Sequence, residues 1–513
     1  MPILEQAAGT QKASEVFQRF PKWMLGAIYA TILAVAIAIW LVAVRAPLWL
    51  DETVSYWQIH RGFSQIASRQ GLSFGAYSYL LWCASKLFGT SEVSLRIPSI
   101  LAMLGAVYLL YRAARELFDD EIAVIAAVVF CLHPVVAFAA IDVRPYAFGA
   151  LAINGALFSL IRWRRSPSAG AAAMFGVLAA FIVYFHFLFT AALPGFALCF
   201  ALVTKGEPIL RLRQASTCLA AFGVAFLPVI PGLLYMFRTS GSHVFDESPP
   251  VTELVRTLAP PPIVAIFLVV ALAAAAGGRI DWNSKGDSWT LLLCASVGLA
   301  PVLILYATSI MTPLHVFVAR YRMVGISGIA LCWGFLLSRI DSRLLRLMFC
   351  AGCVLAGLYH SVAAPEFRRH GYTWKYALEL AENNASTDGA PVVICSDLPE
   401  ADHMPMPQGA DIKDSTLFAP LTYYPLSVPV VPLPRALNAE AVRLGSEFLR
   451  EATVKKERFL AVAYIPSYPT LEWLRQQASA THEAHRLGES DGITIIEFVP
   501  HTQVGHPSGT GRD

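Results

Sequence analysis

Charged residues are scarce in this sequence, and their scarcity sets the class of protein. Asp, Glu, Lys and Arg make up 15% of the 513 residues, whereas hydrophobic residues make up 56%. Soluble domains carry about 25% charged residues, and the mean hydropathy of +0.55 points the same way. A soluble globular protein is therefore excluded, and we expect a polytopic membrane protein.

Cysteine spacing typical of disulfides, a glycine-rich phosphate loop and a signal-peptide cleavage pattern are also missing. The nine cysteines are an odd number without disulfide or zinc-site spacing, and most lie in apolar runs, as small buried side chains do. The missing glycine-rich loop disfavours a nucleotide-sugar donor. Residues 23–44 are uncharged and reach the length of about 20 residues that a membrane span needs. No small-x-small cleavage pattern follows them, so we interpret them as a retained first helix.

Apolar runs, by contrast, follow one another to about residue 364. They predict about 11 membrane spans. The predicted spans are 23–44, 93–111, 122–141, 146–161, 168–185, 187–204, 215–237, 254–277, 289–310, 319–338 and 344–362. Lys and Arg residues precede the first span and follow each even-numbered one up to the tenth. The positive-inside rule puts these connections in the cytoplasm. We expect a bacterial inner-membrane protein with a cytoplasmic N-terminus and a periplasmic C-terminal region.

The predicted fold is a polytopic all-α membrane domain followed by a C-terminal extracytoplasmic α/β domain. Buried-strand patterns at 390–397, 458–466 and 493–499 alternate with amphipathic helices at 373–384, 438–452 and 470–478. The predicted boundaries are a cytoplasmic N-terminus at 1–22, a membrane domain at 23–364, the α/β domain at 365–500 and a disordered tail at 501–513. A long outer connection at 45–92 lies within the membrane domain and is predicted to hold interfacial helices.

Four polar motifs fall on the outer side of the membrane in this topology. They are "LWLDE" with Asp51 and Glu52, "IDVRPYAF" with Asp142, Arg144 and Tyr146, "YFHFLFT" with His186, and "HVFVARYRM" with His315, Arg320, Tyr321 and Arg322. Each motif has a structural interpretation of its own. Adjacent acids can favour a helix start and stay hydrated, an acid and an arginine can form an interfacial ion pair, a histidine can pack in a turn, and arginines can snorkel to lipid headgroups.

Together the motifs suit one chemistry. Carboxylates act as general bases or hold metal ions, and arginines bind phosphates through charge-assisted bonds. Acids and arginines at a membrane surface therefore suit a lipid-linked phosphate substrate. The alternative is a transporter or flippase of lipid-linked sugars, which would need charged residues deep in the spans, where this sequence has almost none. A non-catalytic scaffold whose α/β tail binds a partner is a weaker alternative.

The same segments carry a resemblance to a known family. "LWLDE", "SEVSLRIPSILAMLGAVYLLYRAARELF" (91–118), "HPVVAFAAIDVRPYAFGAL" (133–151), "YFHFLFT" and "ARYRM" resemble the GT-C superfamily of membrane glycosyltransferases over about residues 23–325. The most similar branch contains protein O-mannosyltransferases, aminoarabinose-lipid A transferases and RgtA/B/C/D-like enzymes. One departure is "GLSFGAYSYLL", which lacks the His-Pro-Pro or Lys-Pro-Pro element of many members.

The resemblance implies a polyprenyl-phosphate-sugar donor and transfer outside the cytoplasm. It also implies that Asp51 is the essential acid of the first outer loop, that Glu52 and Asp142 match further acids, and that Arg320 binds the donor phosphate. We therefore predict an inverting hexosyl or pentosyl transferase with Asp51 as general base. Glu52 and Asp142 would complete the catalytic set by orienting the acceptor or holding a metal.

The remaining predictions concern binding. The predicted substrate-binding residues are Arg144, Tyr146, His186, Arg320, Tyr321 and Arg322. The expected partners are the lipid bilayer, the polyprenyl-phosphate sugar and a glycolipid, polysaccharide or protein acceptor, with no nucleic acid. No cofactor is required by the sequence. A divalent metal held by Asp51 and Asp142 is left open as an alternative.

Overall fold

The computed structural model describes nine stretches of the chain, which are 22–69, 75–203, 208–239, 248–281, 288–363, 373–402, 404–464, 468–490 and 492–501. The predicted cytoplasmic N-terminus and disordered tail lie outside these stretches, except for Lys22 and His501. The chain divides into two compact units. Residues 1–45 and 67–368 form the first, here called the membrane unit, and residues 46–66 and 369–513 form the second, here called the α/β unit.

The helices of the membrane unit occupy most of its described length. They are α1 (Lys22–Ala38), α3 (Ala76–Phe88), α4 (Glu92–Leu117), α5 (Asp120–Leu132), α6 (Pro134–Ala140), α7 (Tyr146–Arg165), α8 (Ala169–Phe185), α9 (Leu193–Val203), α10 (Pro208–Phe226), α11 (Ile230–Thr239), α12 (Val251–Leu258), α13 (Pro261–Ala276), α14 (Ser288–Met311), α15 (Ile326–Leu337) and α16 (Arg343–Ala363). The number α2 is kept for the helix Leu50–Ile59 of the α/β unit. Short 3-10 segments precede α9 and α15, at Phe187–Ala192 and Ala319–Gly325.

The described residues make this chain a multi-pass membrane protein. Five helices are long and apolar enough to cross a membrane, or up to seven if each of two bent helix pairs counts as one span. A helix or a helix pair lies in every one of the predicted apolar segments. Several of these helices are short, among them α8 and the helical stretch Phe187–Ala201. The predicted number of 11 spans is therefore not confirmed.

Prolines mark the two sharp bends in the membrane unit. Helices α5 and α6 meet at 74° around Pro134, and α12 and α13 meet at 53° ahead of Pro261. Proline lacks a backbone N–H and disfavours helical geometry in the residue before it, so a helix ends there and a new one starts. The broken helices place His133 and Ala259 in non-helical backbone between their segments.

Glycines allow α14 and α15 to pack backbone against backbone. A Cβ atom on Gly328 would lie 2.1 Å from the backbone nitrogen of Gly298, which is far inside van der Waals contact. Small residues at such crossings are the usual means of helix association in membranes, since lipid gives little hydrophobic driving force between helices. Helix α15 directly follows the 3-10 segment Ala319–Gly325, which carries two of the predicted site arginines. The crossing of α14 and α15 therefore fixes the position at which this 3-10 segment ends.

The α/β unit contains a five-stranded mixed sheet. Its strands are β1 (Val392–Cys395), β2 (Val430–Leu433), β3 (Phe459–Ala463), β4 (His482–Ser490) and β5 (Ile493–Pro500), in the order β2-β1-β3-β5-β4. Strands β2, β1 and β3 are parallel, and β5 is antiparallel to β3 and β4. The accompanying helices are α17 (Lys375–Ala385), α18 (Ala419–Tyr423), α19 (Ala439–Lys455) and α20 (Pro469–Ala478).

The predicted strands and helices of this region are present, together with two further strands and the short helix α18. Strands β1, β3 and β5 and helices α17, α19 and α20 lie in the segments where the pattern predicted them. Strands β2 and β4 were not predicted. Strand β2 is short and contains Pro432, and β4 reads "HEAHRLGES", a polar edge strand whose residues are mostly exposed. Prolines interrupt the apolar residues of β2, and β4 lacks the apolar run on which the strand prediction depended.

The long outer connection at 45–92 is divided between the units. Residues 46–66, with α2, group with the α/β unit, whereas α3 groups with the membrane unit. The domain boundaries drawn from the sequence treated the whole connection as part of the membrane domain. The acid pair of the first motif therefore belongs to the compact unit that contains the C-terminal sheet.

Candidate functional site

The two adjacent acids at the start of α2 have different surroundings. Glu52 has no exposed surface, and its Oε2 accepts the backbone N–H of Trp49 at 3.2 Å. This contact closes one half of a capping box around the first helical turn. Asp51 is half-buried. Glu52 thus has a structural role, and its catalytic role stays a prediction. Asp51 is the acid of the pair with the more accessible side chain.

The α/β unit holds α2 at its N-terminal end. Trp49 forms an antiparallel bridge with Thr373, and the backbone N–H of Leu48 donates a hydrogen bond of 2.8 Å to the Tyr424 hydroxyl. Backbone contacts fix main-chain position independently of side-chain rotamers. They therefore locate the residues two and three positions before Asp51 with respect to the sheet-bearing part of the same unit.

Asp414 holds the other end of α2. Its Oδ1 lies 3.1 Å from Nε2 of His60, and its Oδ2 lies 2.7 Å from Nη2 of Arg61. Its backbone carbonyl accepts the Trp57 indole N–H at 2.6 Å. Helix α2 is thereby attached at both ends, which limits the positions that the carboxylate of Asp51 can take.

In the membrane unit, five predicted residues come together. The rings of His186 and Tyr321 lie 4.8 Å apart, and the ring of Tyr146 lies 5.8 Å from His186 and 6.2 Å from Tyr321. The guanidinium of Arg144 lies 5.9 Å from the Tyr146 ring, and that of Arg320 lies 5.3 Å from the Tyr321 ring. We call these five residues the arginine–aromatic cluster. Three chain segments far apart in sequence build it, as the motifs suggested.

His186 is a neutral hydrogen-bond donor within this cluster. Burial, followed by the charges of Arg144 and Arg320, lowers the pKa of His186 to about 3. Its Nδ1 accepts the backbone N–H of Leu188 at 3.3 Å. A neutral imidazole carries one proton, so a ring whose Nδ1 accepts carries that proton on Nε2. The Nε2–H is then available to donate to an anionic oxygen.

Packing behind the cluster is tight. The Phe189 ring lies 6.4 Å from Tyr146 and 5.6 Å from His186. It rests against Gly149 of α7, where a Cβ atom would lie 1.8 Å from Phe189 Cε2. Only glycine permits this approach. The sequence analysis did not single out Phe189, because a phenylalanine within an apolar run has the pattern of any buried core residue.

An apolar groove of about 650 Å³ runs along α7 and α8. Its lining includes Phe148 and Phe185, which stack on each other at 5.5 Å. Phe148 follows Tyr146 by two residues, and Phe185 directly precedes His186. One end of the groove therefore lies close along the chain to two residues of the arginine–aromatic cluster, although no residue of the cluster lines it. From there the groove follows α7 as far as Arg162, about 21 Å along a helix.

Comparisons with known proteins identify the architecture. The family model "dolichyl-phosphate-mannose-protein mannosyltransferase" matches residues 76–235. The crystal structure of ArnT from Cupriavidus metallidurans bound to undecaprenyl phosphate has a similar fold, with a TM-score of 0.55, 13% identity and coverage of 91% of this chain and 97% of that one. The chain therefore has the fold of this membrane protein, and residues 76–235 match the mannosyltransferase family model.

Two further comparisons add little. The apo structure of the same ArnT gives a TM-score of 0.54 at 13% identity, covering 91% of this chain and 97% of that one. The archaeal oligosaccharyltransferase AglB from Archaeoglobus fulgidus, in complex with an inhibitory peptide and a dolichol-phosphate, gives a TM-score of 0.46 at 14% identity, covering 91% and 70%. That score is too low to establish a common fold. No curated protein matches the sequence.

Arg322 stands apart from the other predicted phosphate ligands. Its Nη2 lies 3.0 Å from Oε2 of Glu253, and its Nη1 donates a hydrogen bond of 2.9 Å to the Thr257 hydroxyl. The carbonyl of Thr257 also lies 3.3 Å from Nε2 of His133, at the bend between α5 and α6. Arg322 therefore ties the 3-10 segment to the bent pair α12 and α13. The sequence did not indicate Glu253 as its partner.

Two further predicted residues have structural contacts. Asp142 has no exposed surface, and its backbone carbonyl accepts the Ser99 hydroxyl at 2.6 Å. Nδ1 of His315 lies 3.1 Å from the carbonyl of Ser309, near the end of α14. Within the described stretches, no three His, Cys, Asp or Glu side chains come together in a way that could hold a metal ion.

Proposed function

We propose that this chain is a GT-C membrane glycosyltransferase, which transfers a sugar from a polyprenyl-phosphate donor to an acceptor on the outer face of the membrane. The observation that carries the proposal is the arginine–aromatic cluster, together with an apolar groove that begins at the neighbouring residues Phe148 and Phe185. A lipid-linked sugar phosphate has an anionic head and a long apolar tail, and both features have a counterpart in the membrane unit. The family match and the fold likeness to ArnT bound to undecaprenyl phosphate support the same substrate class.

The phosphate end of the donor is assigned to the cluster. Arg144 and Arg320 can donate several charge-assisted hydrogen bonds to phosphate oxygens, and the Nε2–H of His186 can donate one more. Tyr146 and Tyr321 pack against the arginines and limit their rotamers. Both guanidiniums act electrostatically on the His186 ring, so an anion next to that ring would experience both positive charges.

The lipid tail is assigned to the groove. Its walls come from α4, α7 and α8, and its lining is almost wholly apolar. An isoprenoid chain gains about 25 cal/mol for each Å² of apolar surface removed from contact with water, but lipid is already apolar. The groove therefore contributes orientation rather than a large binding energy, by aligning the phosphate with the cluster.

Asp51 is assigned the proton transfer. In the proposed reaction, Asp51 accepts the proton of an acceptor hydroxyl while that oxygen forms a bond to the anomeric carbon. The bond between the anomeric carbon and the phosphate oxygen breaks, and polyprenyl phosphate leaves with the electron pair. Arginines stabilise the charge that develops on it, so no general acid is required. A single displacement inverts the anomeric configuration. The acceptor is a glycolipid, a polysaccharide or a protein.

The test is a donor panel with purified protein in nanodiscs. Polyprenyl-phosphate hexoses and pentoses are supplied with native membrane lipids, and release of polyprenyl phosphate is measured together with the anomeric configuration of the product. We expect release with at least one donor, inversion, and loss of release in Asp51→Asn. Translocation of a labelled donor across liposomes without any release would instead support a flippase. Retention of configuration would rule out the single displacement.

A further inference from the structure

A second acid of the α/β unit lies where the parallel strands of the sheet end. Asp397 follows β1 by two residues, and Arg435 follows β2 by two residues. The carboxyl ends of neighbouring parallel strands meet at one edge, the edge at which open α/β sheets commonly carry their functional groups. Tyr468, which precedes α20, donates its hydroxyl hydrogen bond to Oδ1 of Asp397. This edge is therefore more polar than the apolar strand sequences suggest.

The same edge faces the helix that carries Asp51. A small cavity is lined by Leu50 of α2 together with Trp374, Ser396, Asp397 and Phe418. Asp51 directly follows Leu50, and its charge acts on Asp397. All of these residues belong to the α/β unit. The Asp51 side of α2 and the Asp397 end of β1 are thus neighbours within one compact unit.

Three charged or titratable groups act on Asp397, namely Asp51, Tyr468 and Arg435. Burial raises the pKa of Asp397, the Tyr468 hydrogen bond and the Arg435 charge lower it, and the Asp51 charge raises it, leaving the pKa above its ordinary value. Arg435 is itself held by Asp402, with 2.9 Å between Nε and Oδ2. Tyr468 and Arg435 thus favour the ionised form of Asp397, against the opposing effects of burial and Asp51.

We propose that Asp397 is a positioning residue for the transfer reaction, which acts through Asp51 from the α/β unit. Its negative charge repels the charge of Asp51, and this repulsion is relieved when Asp51 accepts the proton of the acceptor hydroxyl. Proton transfer to Asp51 is thereby favoured. This inference rests on the proposed function. It gives the C-terminal sheet a part in the chemistry, through Asp51.

The test compares pH profiles of kcat for the full chain in nanodiscs. Asp397→Asn removes the charge but keeps an oxygen that can accept the Tyr468 hydrogen bond. We expect kcat to fall by about 3- to 30-fold, which is less than the roughly 10²- to 10⁴-fold that general acid–base catalysis contributes as a whole. The acid limb of the profile should move to lower pH, because one neighbouring negative charge is gone. The KM for the donor should stay unchanged, and Asp397→Glu should restore the wild-type profile.

Two more variants keep the test decisive. Glu447→Gln removes an exposed negative charge from α19 of the same unit and should leave both kcat and the profile unchanged. Tyr468→Phe removes the hydrogen bond that favours ionised Asp397 and should shift the acid limb in the same direction as Asp397→Asn, by less. It serves in place of Asp397→Asn if that variant fails to fold.

The outcomes separate this inference from the proposed function. If Asp51→Asn is inactive while Asp397→Asn keeps the wild-type kcat and pH profile, only the inference is overturned. A fall in kcat without a shift of the acid limb, accompanied by a lower unfolding temperature, assigns Asp397 a structural role and also overturns it. If the wild type releases no polyprenyl phosphate from any donor, the proposed function fails, and the inference fails with it.

Discussion

Glu52 Oε2 accepts the backbone N–H of Trp49 at 3.2 Å, so the second of the two adjacent acids caps the helix that carries the first. A capping carboxylate satisfies a backbone donor that has no partner within the helix. It also places negative charge at the positive end of the helix dipole. Glu52 therefore sets the start of α2, and Asp51 is the acid of the pair to which the proposed mechanism assigns the proton transfer.

This capping contact predicts different results for two substitutions of Glu52. Glu52→Gln keeps an oxygen that can accept the Trp49 N–H, and we expect most of the activity to remain. Glu52→Ala removes the cap and should destabilise the protein by about 0.5–2 kcal/mol. Thermal unfolding and initial rates of polyprenyl phosphate release measure both effects. Complete inactivity of Glu52→Gln at unchanged stability would make Glu52 a reacting group instead.

Arg320 should contribute to donor affinity. Arg320→Ala removes a charged donor from the cluster, and hydrogen bonds to charged groups contribute about 1.5–3 kcal/mol. We therefore expect the Kd for polyprenyl phosphate to rise by about 10- to 100-fold. Arg320→Lys keeps the charge without the two-pronged geometry and should give an intermediate Kd. An unchanged Kd in both variants would remove Arg320 from the phosphate site.

Arg322 should affect stability more than donor binding. The ion pair with Glu253 is partly exposed, so we expect a coupling energy of only about 0.5–1 kcal/mol in a double-mutant cycle of Arg322→Ala and Glu253→Ala. The cycle is read from chemical or thermal unfolding in detergent. The donor Kd should change far less than in Arg320→Ala. An equal loss of donor affinity in the two arginine variants would contradict the separate assignments.

His186 should make stability depend on pH on the acid side. Its pKa is about 3 in the folded chain and about 6.5 in an unfolded one. Between these values the unfolded state binds a proton that the folded state excludes, so the stability contribution is complete above about pH 6.5 and declines as the pH falls toward 3. We expect the unfolding temperature to drop less between pH 8 and pH 4.5 in His186→Gln than in the wild type. The exposed His485→Gln is the matched control and should behave like the wild type.

Local patterns predicted much of the fold. The apolar runs marked a helix or helix pair in each predicted span, and the alternating runs marked three of the five strands. Composition could not give the number of spans, since the proline bends and short helices depend on how neighbouring segments pack. Strand β4 was missed because its edge position allows a polar sequence.

The site was predicted in part, and the misses have physical causes. Arg144, Tyr146, His186, Arg320 and Tyr321 do cluster, as their shared side of the membrane suggested. Arg322 lies two residues from Arg320, but its side chain contacts Glu253. The sequence pattern does not specify the direction of a side chain in a short 3-10 segment. Within the α/β unit, the contacts of α2 join residues about 350 positions apart, as in the Trp57–Asp414 hydrogen bond. Local sequence patterns do not predict such long-range contacts.

The most direct test of this account compares Asp51→Asn with Glu52→Gln in the same single-turnover assay. Both variants replace a carboxylate by its amide at neighbouring positions, so they control for charge and volume. With donor and acceptor bound, we predict that Asp51→Asn slows sugar transfer by about 10²- to 10⁴-fold, while donor affinity and unfolding temperature stay at wild-type values and Glu52→Gln transfers nearly normally. Equal rates in Asp51→Asn and the wild type would contradict the assignment of Asp51 as the base.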